Sequence, residues 1–363
     1  MTTEDAATIP TKTINIQRAT ASRINELDFN NIQFGKIFAD HMLVVDYKDG
    51  AWQTPEILPY GDMMMSPATS AIHYGQSIFE GMKAYRNPEG EIQLFRPLEN
   101  FKRLNLSAER MCMPEIPEAL FMDGLKELLK LDAAWVPPTE GCALYIRPFM
   151  FATDDFIGVR PSDTYRFVIF TCPVGAYYGV PLKVAIEPNY ARSVEGGAGF
   201  AKAAGNYGSA LLPARKMQEK GYHQLIWTDA KEHKYIEESG TMNIMFVIDG
   251  KLVTPAVSNT ILNGITRASV LQVAKDLGYT VEERKVAVDE IIEASQAGTL
   301  QEAFGTGTAA TIAQIAIIHY NGTDYTLPAI ENREISNKIA TALDAIKTGQ
   351  ATDTHNWMVK IEA

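Results

Sequence analysis

Residues 173–199 read PVGAYYGVPLKVAIEPNYARSVEGGAG. Pro173, Gly175, Gly179, Pro181, Pro188, Gly196, Gly197 and Gly199 punctuate the stretch. Such spacing suits a connector that crosses between two domains, with room for one short strand in LKVAIE. The boundary falls near 178–190. Upstream, residues 37–47 (IFADHMLVVDY) are apolar and β-branched and read as a strand. Phe101, Leu104, Ala108 and Met111 recur at helical spacing over 99–111, and 119–131 reads as a second helix. Residues 143–151 and 165–172 read as strands. Residues 1–30 are polar and weakly periodic and are expected to form a flexible tail.

Downstream the pattern alternates. Helix-like 205–221 leads to strand-like YHQLIWT. Strand-like NIMFVIDGKLVTP carries Asp249-Gly250, a hairpin signal. Helix-like TRASVLQVAKDLG leads to strand-like TVEERKVAV, and helix-like DEIIEASQA leads to strand-like LQEAFG. Sheets with helices packed on them follow, an α/β (mixed α+β) fold. The expected division is a small N-terminal α/β domain over 31–178, a connector over 179–190 and a large C-terminal domain over 191–363.

Bulk properties narrow the function classes. At roughly 100–200 residues per domain, 363 residues suggest two or three domains, with two the simplest reading. The 46% hydrophobic and 21% charged content is that of a globular chain with a real core. A net charge of −11 without a Lys/Arg-rich run argues against nucleic-acid binding. Cys112, Cys142 and Cys172 form no C-x-x-C pair, which argues against a disulfide framework and a Cys-rich metal site. No apolar run approaches the ~20 residues that span a bilayer. The opening MTTEDAATIP lacks the apolar core of a signal peptide, so a cytoplasmic location is expected, with no membrane partner.

Four segments carry chemistry. In residues 196–208 (GGAGFAKAAGNYG), Lys202 sits among small residues that let a ligand approach closely. A Schiff-base lysine needs such access, although a lone loop lysine is most often merely solvated. In residues 259–268 (NTILNGITRA), a helix start presents free N–H groups that suit a phosphate, or simple capping by Thr266 or Asn263. Residues 304–310 (FGTGTAA) match the dinucleotide fingerprint formally. The following TIAQIAIIHYNGT reads as a strand rather than the helix the fingerprint requires, so an anion-binding or plain turn remains. In residues 238–243 (ESGTMN), Glu238 suits a cationic heterocycle if buried, and otherwise is a solvated acid. No metal-ligand or Ser/His hydrolase signature occurs.

In order, HYGQSIFEGMKAYR, FRPLENFKRL, ALYIRP, CPVGAYY, AKAAGNYG, EESGTMN, ILNGITR and FGTGTA resemble the branched-chain amino-acid aminotransferases, fold-type IV enzymes that use pyridoxal 5'-phosphate. The resemblance runs from about Phe34 to near the C-terminus. It implies a two-domain fold with the cofactor site between the domains, and a homodimer. It also implies amino transfer between L-leucine, L-isoleucine or L-valine and 2-oxoglutarate. Lys202 would hold the cofactor as a Schiff base and shuttle the proton, Glu238 would pair with the pyridine nitrogen, and Tyr207 would bond the phenolate oxygen. Arg103, Ile265, Thr266 and Thr308 would grip the phosphate. Thr308 and Ala309 would offer N–H groups to the substrate carboxylate, with Tyr74 nearby. Phe34, Phe79, Tyr145, Tyr177 and Thr241 would wall an apolar pocket, closed by Val159 of the partner subunit. Arg147 would meet the side-chain carboxylate of glutamate. Some relatives carry C-x-x-C after the G-T-A turn. Here that position reads Ala310-Thr311-Ile312-Ala313, so redox control there is not expected. The neighbouring alternatives are D-amino-acid aminotransferases and aminodeoxychorismate lyases, which share the lysine and glutamate.

Overall fold

A computed structural model of the protein describes residues 13–29, 31–175 and 180–362. The chain forms two compact units, one of residues 1–175 with 353–363 and one of residues 176–352.

The first unit is built on β1 (Asn15–Ile16), β2 (His41–Lys48), β3 (Ala51–Trp52), β4 (Glu56–Pro59), β5 (Ser77–Phe79), β6 (Met82–Arg86), β7 (Ile92–Phe95), β8 (Ala143–Ala152) and β9 (Tyr165–Val174). Helices α1 (Ser70–Tyr74), α2 (Pro97–Arg110) and α3 (Glu118–Leu131) accompany them. The strands run in the order β1-β4-β2-β9-β8-β6-β7. On α3 the apolar residues fall on one face, and Phe121, Leu125, Leu128 and Leu129 are fully buried. Each such side chain contributes about 1.5–3 kcal/mol relative to exposure.

The second unit contains β10 (Leu182–Ile186), β11 (Gln224–Thr228), β12 (Ile236–Ser239), β13 (Met242–Ile248), β14 (Lys251–Pro255), β15 (Val281–Arg284), β16 (Leu300–Gly307), β17 (Thr311–Tyr320) and β18 (Thr323–Thr326). Its helices are α4 (Ala204–Gly208), α5 (Leu211–Gln218), α6 (Ile265–Asp276), α7 (Val288–Ala297) and α8 (Ile335–Lys347). The strand order is β12-β11-β10-β17-β16-β13-β14-β15, and β12 also pairs β13, closing six strands into a ring. Val184, Ile226, Ile244, Phe246, Ile291, Ile315 and Ile318 form part of its core. The chain then returns to the first unit, where β19 (Met358–Ile361) pairs antiparallel with β7.

Several expectations need correction. Residues 353–362 do not belong to the C-terminal domain, because β19 completes the first sheet and Arg96 stacks on Trp357 at 5.0 Å. The short strand expected within the connector, at LKVAIE, is present as β10, but it is central to the second sheet rather than a link, pairing in parallel with both β11 and β17. Residues 13–29 are not a loose tail. Asn15 and Ile16 pair with β4. Asp40 accepts hydrogen bonds from Ser22 Oγ at 2.6 Å, Arg23 N at 2.8 Å and Trp135 Nε1 at 2.9 Å. Burial pushes this carboxyl up, but those donors outweigh it and hold it below its usual value. Residues 205–221 form two short helices rather than one, broken after Gly208. The strand expected over 280–288 ends at Arg284, and the one expected over 37–47 begins at His41.

Candidate active site

The loop before α4 is held from within. Glu187 accepts the backbone N–H groups of Asn189 (2.7 Å) and Tyr190 (3.0 Å). Asn206 donates to the carbonyls of Ala198 (2.8 Å) and Ala201 (3.0 Å), which pins the chain on the N-terminal side of Lys202. The turn of α4 brings Tyr207 back beside the lysine, and Lys202 Nζ lies 2.8 Å from the Tyr207 hydroxyl. Both side chains are half-buried, as an amine that must meet a ligand requires.

Glu238 lies inside β12 and is 2% exposed, so it is not a solvated loop acid. Register places Trp227, Glu238, Asn243 and Thr306 side by side across β11, β12, β13 and β16. Paired positions share a face of the sheet. Glu238 Oε1 accepts the Leu262 N–H at 2.8 Å and the Asn243 amide at 3.3 Å. Its Oε2 meets Arg192 Nε at 2.8 Å. Burial raises the Glu238 carboxyl above its ordinary range, while Arg192, the Leu262 N–H and Lys202 pull it back. A buried carboxylate needs such partners to stay ionised. Arg192 is fixed in turn by the Thr260 carbonyl at 3.0 Å.

Helix α6 starts beside this group. Its N-cap residue is Gly264, which has no side chain to cap it, rather than Thr266 or Asn263. Thr266 is buried within the first turn. The first N–H groups of a helix have no intrahelical acceptor and form the positive end of its dipole. A Cβ at position 264 would run into the Asn243 amide, so only glycine lets α6 start this close to the sheet. Beyond Thr306, residues 308–310 turn β16 into β17, with Gly307 opposite Thr311. Thr308 and Ala309 are half-buried there.

Four of the expected substrate residues gather in the first unit. Arg147 donates to the Tyr145 hydroxyl at 2.9 Å and lies over the rings of Phe79 (4.8 Å) and Tyr145 (5.3 Å). Phe34 meets Tyr145 edge-on at 5.3 Å. Gly81 leaves the space that the Tyr145 hydroxyl fills. Among the described residues no carboxylate pairs with Arg147, and its Nε is buried without a hydrogen-bond partner. Tyr74 and Val159 are exposed, Val159 to 90%. Thr241, between β12 and β13, is exposed in the second unit. Tyr177 lies outside the described residues. Arg103, also in the first unit, is committed to Glu80 through Nε (2.7 Å) and one Nη (2.8 Å), and Asn100 supports the same carboxylate.

Residues 77–318 match the family model of class IV amino-transferases. The chain belongs to that family. It is 44% identical over 97% of its length, and 98% of the relative's, to branched-chain-amino-acid aminotransferase 2 of Bacillus subtilis (strain 168). Among solved structures, the branched-chain amino acid aminotransferase of Escherichia coli superposes with a TM-score of 0.72 at 25% identity, covering 89% of this chain and 99% of that one. The T.th. branched-chain amino acid aminotransferase complexed with N-(5'-phosphopyridoxyl)-L-glutamate gives 0.69 at 25% identity, covering 88% and 98%.

The family's cofactor is pyridoxal 5'-phosphate, and the second unit fits it. An amine stands beside a phenol, a buried carboxylate lies at the head of the sheet row, and a helix points its positive N-terminal end, begun at a glycine, toward the same group. The Thr306 hydroxyl is buried in the same sheet row with no hydrogen-bond partner. Sequence reasoning missed Arg192 and Asn243. No local pattern marks Arg192, whose partner lies 46 positions away; Asn243 was visible only as the last letter of ESGTMN.

Proposed function

We propose that the protein is a pyridoxal-phosphate-dependent branched-chain-amino-acid transaminase. It moves an amino group reversibly between L-leucine, L-isoleucine or L-valine and 2-oxoglutarate. The observation that carries the reading is the Lys202–Tyr207 contact at 2.8 Å, in a chain so similar over nearly its whole length to named branched-chain enzymes. When bound, the cofactor supplies an electron sink that makes the Cα–H bond of an amino acid acidic.

The chain's own residues do the rest. Lys202 would anchor the cofactor and carry the proton on Nζ between the substrate Cα and the cofactor's C4′. The Tyr207 hydroxyl orients that amine. Glu238, paired with Arg192, holds a proton on the pyridine nitrogen. The first turn of α6 at Ile265 and Thr266, with Thr308 and Arg103, holds the phosphate dianion. The N–H groups of Thr308 and Ala309 receive the substrate carboxylate. For the side-chain pocket the resemblance offers Phe34, Phe79, Tyr145, Tyr177 and Thr241, with Tyr74 and the partner subunit's Val159 at its rim. Arg147 receives the glutamate carboxylate. One apolar wall with a cation at its edge lets both substrates use one site in turn.

A homodimer in the cytoplasm completes the proposal. Met64, Ile72, Ile157 and Val159 are 60–98% exposed, and the bridge from Thr69 to Asp155 ties together the two segments that carry them. The free cysteines fit a reducing compartment. The test is a donor panel of L-leucine, L-isoleucine, L-valine and D-alanine with 2-oxoglutarate. Turnover of the three L-amino acids alone is expected, and activity confined to D-alanine would overturn the reading. Lys202→Ala should abolish turnover, and borohydride should no longer fix cofactor to the chain. Fixation at another lysine would overturn the assignment. Light scattering should give twice the chain mass.

A further inference from the structure

Thr311, the first residue of β17, has φ +57°. A β-branched residue is a genuine outlier there, and it persists only where the surroundings enforce it. Thr311 pairs with Gly307 and closes the turn that carries Thr308 and Ala309. Its hydroxyl accepts a hydrogen bond from Lys347 Nζ at 2.9 Å. Lys347 is 3% exposed and sits in the last turn of α8. The nearest carboxylate of its own helix, Asp344, is 3.8 Å away and mostly exposed. Burial of this lysine is costly, so the residue is not filling space at random.

The other end of α8 is tied to the base of the same hairpin. Glu302 in β16 accepts the N–H groups of Ile335 (2.9 Å) and Ser336 (2.8 Å). Arg333, just before the helix, bonds the Ile315 carbonyl in β17 at 2.7 Å and the Gln314 side chain at 2.7 Å. At 1.5 Å per residue, α8 is roughly 20 Å long, about the length of a six-residue strand. It therefore braces the β16–β17 hairpin from base to tip. The tip contact falls on the one residue of the turn whose backbone is strained.

We propose that Lys347 is a positioning residue, which through the Thr311 hydroxyl fixes the Thr308–Ala309 turn in the shape that receives the substrate carboxylate. This rests on the transaminase reading of the site. Lys347 does not touch substrate; it acts through Thr311. The fastening of this turn comes from another element, α8, rather than from the turn itself.

The test compares Lys347→Met, Lys347→Arg, Thr311→Val and the Lys347→Met/Thr311→Val double variant with the wild type. Wild-type turnover of L-leucine with 2-oxoglutarate tests the transaminase reading by itself. For the positioning role, amide hydrogen exchange of residues 307–311 is followed without substrate or cofactor. Exchange should quicken about tenfold in Lys347→Met and in Thr311→Val, and no further in the double variant, as for two partners in one contact. In the loaded enzyme KM for leucine should rise roughly tenfold while kcat stays within about twofold, and Lys347→Arg should recover most of it. Unchanged exchange at the turn, additive effects in the double variant, or a loss confined to kcat would each overturn the proposal, whatever the wild type turns over.

Discussion

At the scale of single residues, the site separates charge from apolar surface. Glu238 is buried in a strand with one oxygen on Arg192 and the other on backbone and amide donors. Glu238→Gln keeps the shape but cannot hold a proton on the pyridine nitrogen. Turnover should fall ~10²–10⁴-fold with cofactor still bound, the cost typical of removing a positioned proton-transfer group. A rate unchanged in steady-state assays would remove Glu238 from the mechanism. Arg147 has the rings of Phe79 and Tyr145 around it, bonds the Tyr145 hydroxyl, and pairs with no carboxylate among the described residues. Arg147→Ala should cost roughly 1.5–3 kcal/mol on the glutamate side, about ten- to a hundredfold in kcat/KM. Leucine offers a guanidinium nothing to pair with and should change much less. Single-turnover spectra with each donor read the two half-reactions separately. Equal losses would show that Arg147 holds the α-carboxylate or the pocket's shape instead.

At the scale of elements, α8 carries an ionisable group where its own chemistry resists it. Burial pushes the Lys347 ammonium down to about 8, from 10.5 in the open chain, and Asp344 restores only part. Below that value folded and unfolded chains both hold the proton, and the buried charge weighs against folding in full. Between about 8 and 10.5 the unfolded lysine keeps its proton while the folded one has released it, so stability rises with pH. Relative to Lys347→Met, the wild type should therefore gain a few kcal/mol between roughly pH 7 and pH 10, at about 1.4 kcal/mol for each pH step crossed inside that window. Urea unfolding of both proteins at the two pH values measures it. A difference constant with pH would mean that the lysine is not buried as a cation. The helices and hairpins were legible where periodicity is local. α2, α3, α6 and α7 fall where Leu104, Leu125, Val270 and Ile291 repeat at helical spacing, and β17 begins where Thr311 and Ile312 turn the GTGTAA motif away from a helix. What stayed hidden depends on partners distant in sequence. The Lys347–Thr311 contact spans 36 positions, and Arg192 finds Glu238 only once β12 is folded. The break between α4 and α5 follows Gly208, inside the stretch 205–221 that was expected to form one helix.

At the scale of the whole molecule, two sheets share one chain in an interleaved order. The Gly- and Pro-rich stretch after residue 173 announced two units, but nothing in MVKI told which sheet it would join. Short amphipathic strands carry no address; β19 finds its place by the free edge of β7 and by Arg96 over Trp357. Deleting residues 353–362 should expose that edge and promote aggregation of the first unit, while the closed ring of the second stays intact. Proteolysis followed by mass spectrometry should show fragments of 13–175 lost first and 180–352 persisting. Equal resistance of both would show that β19 is dispensable.

The interleaving has a further consequence when the protein is made. A ribosome delivers residues 13–175 early, yet the strand that seals their sheet follows the whole of the second unit. At about 5–20 residues per second, the nascent first unit waits on the order of ten seconds or more with one flank of its sheet open. During that interval it is a natural client for a chaperone, and β19 acts as a clasp fastened only after the whole second unit has been made.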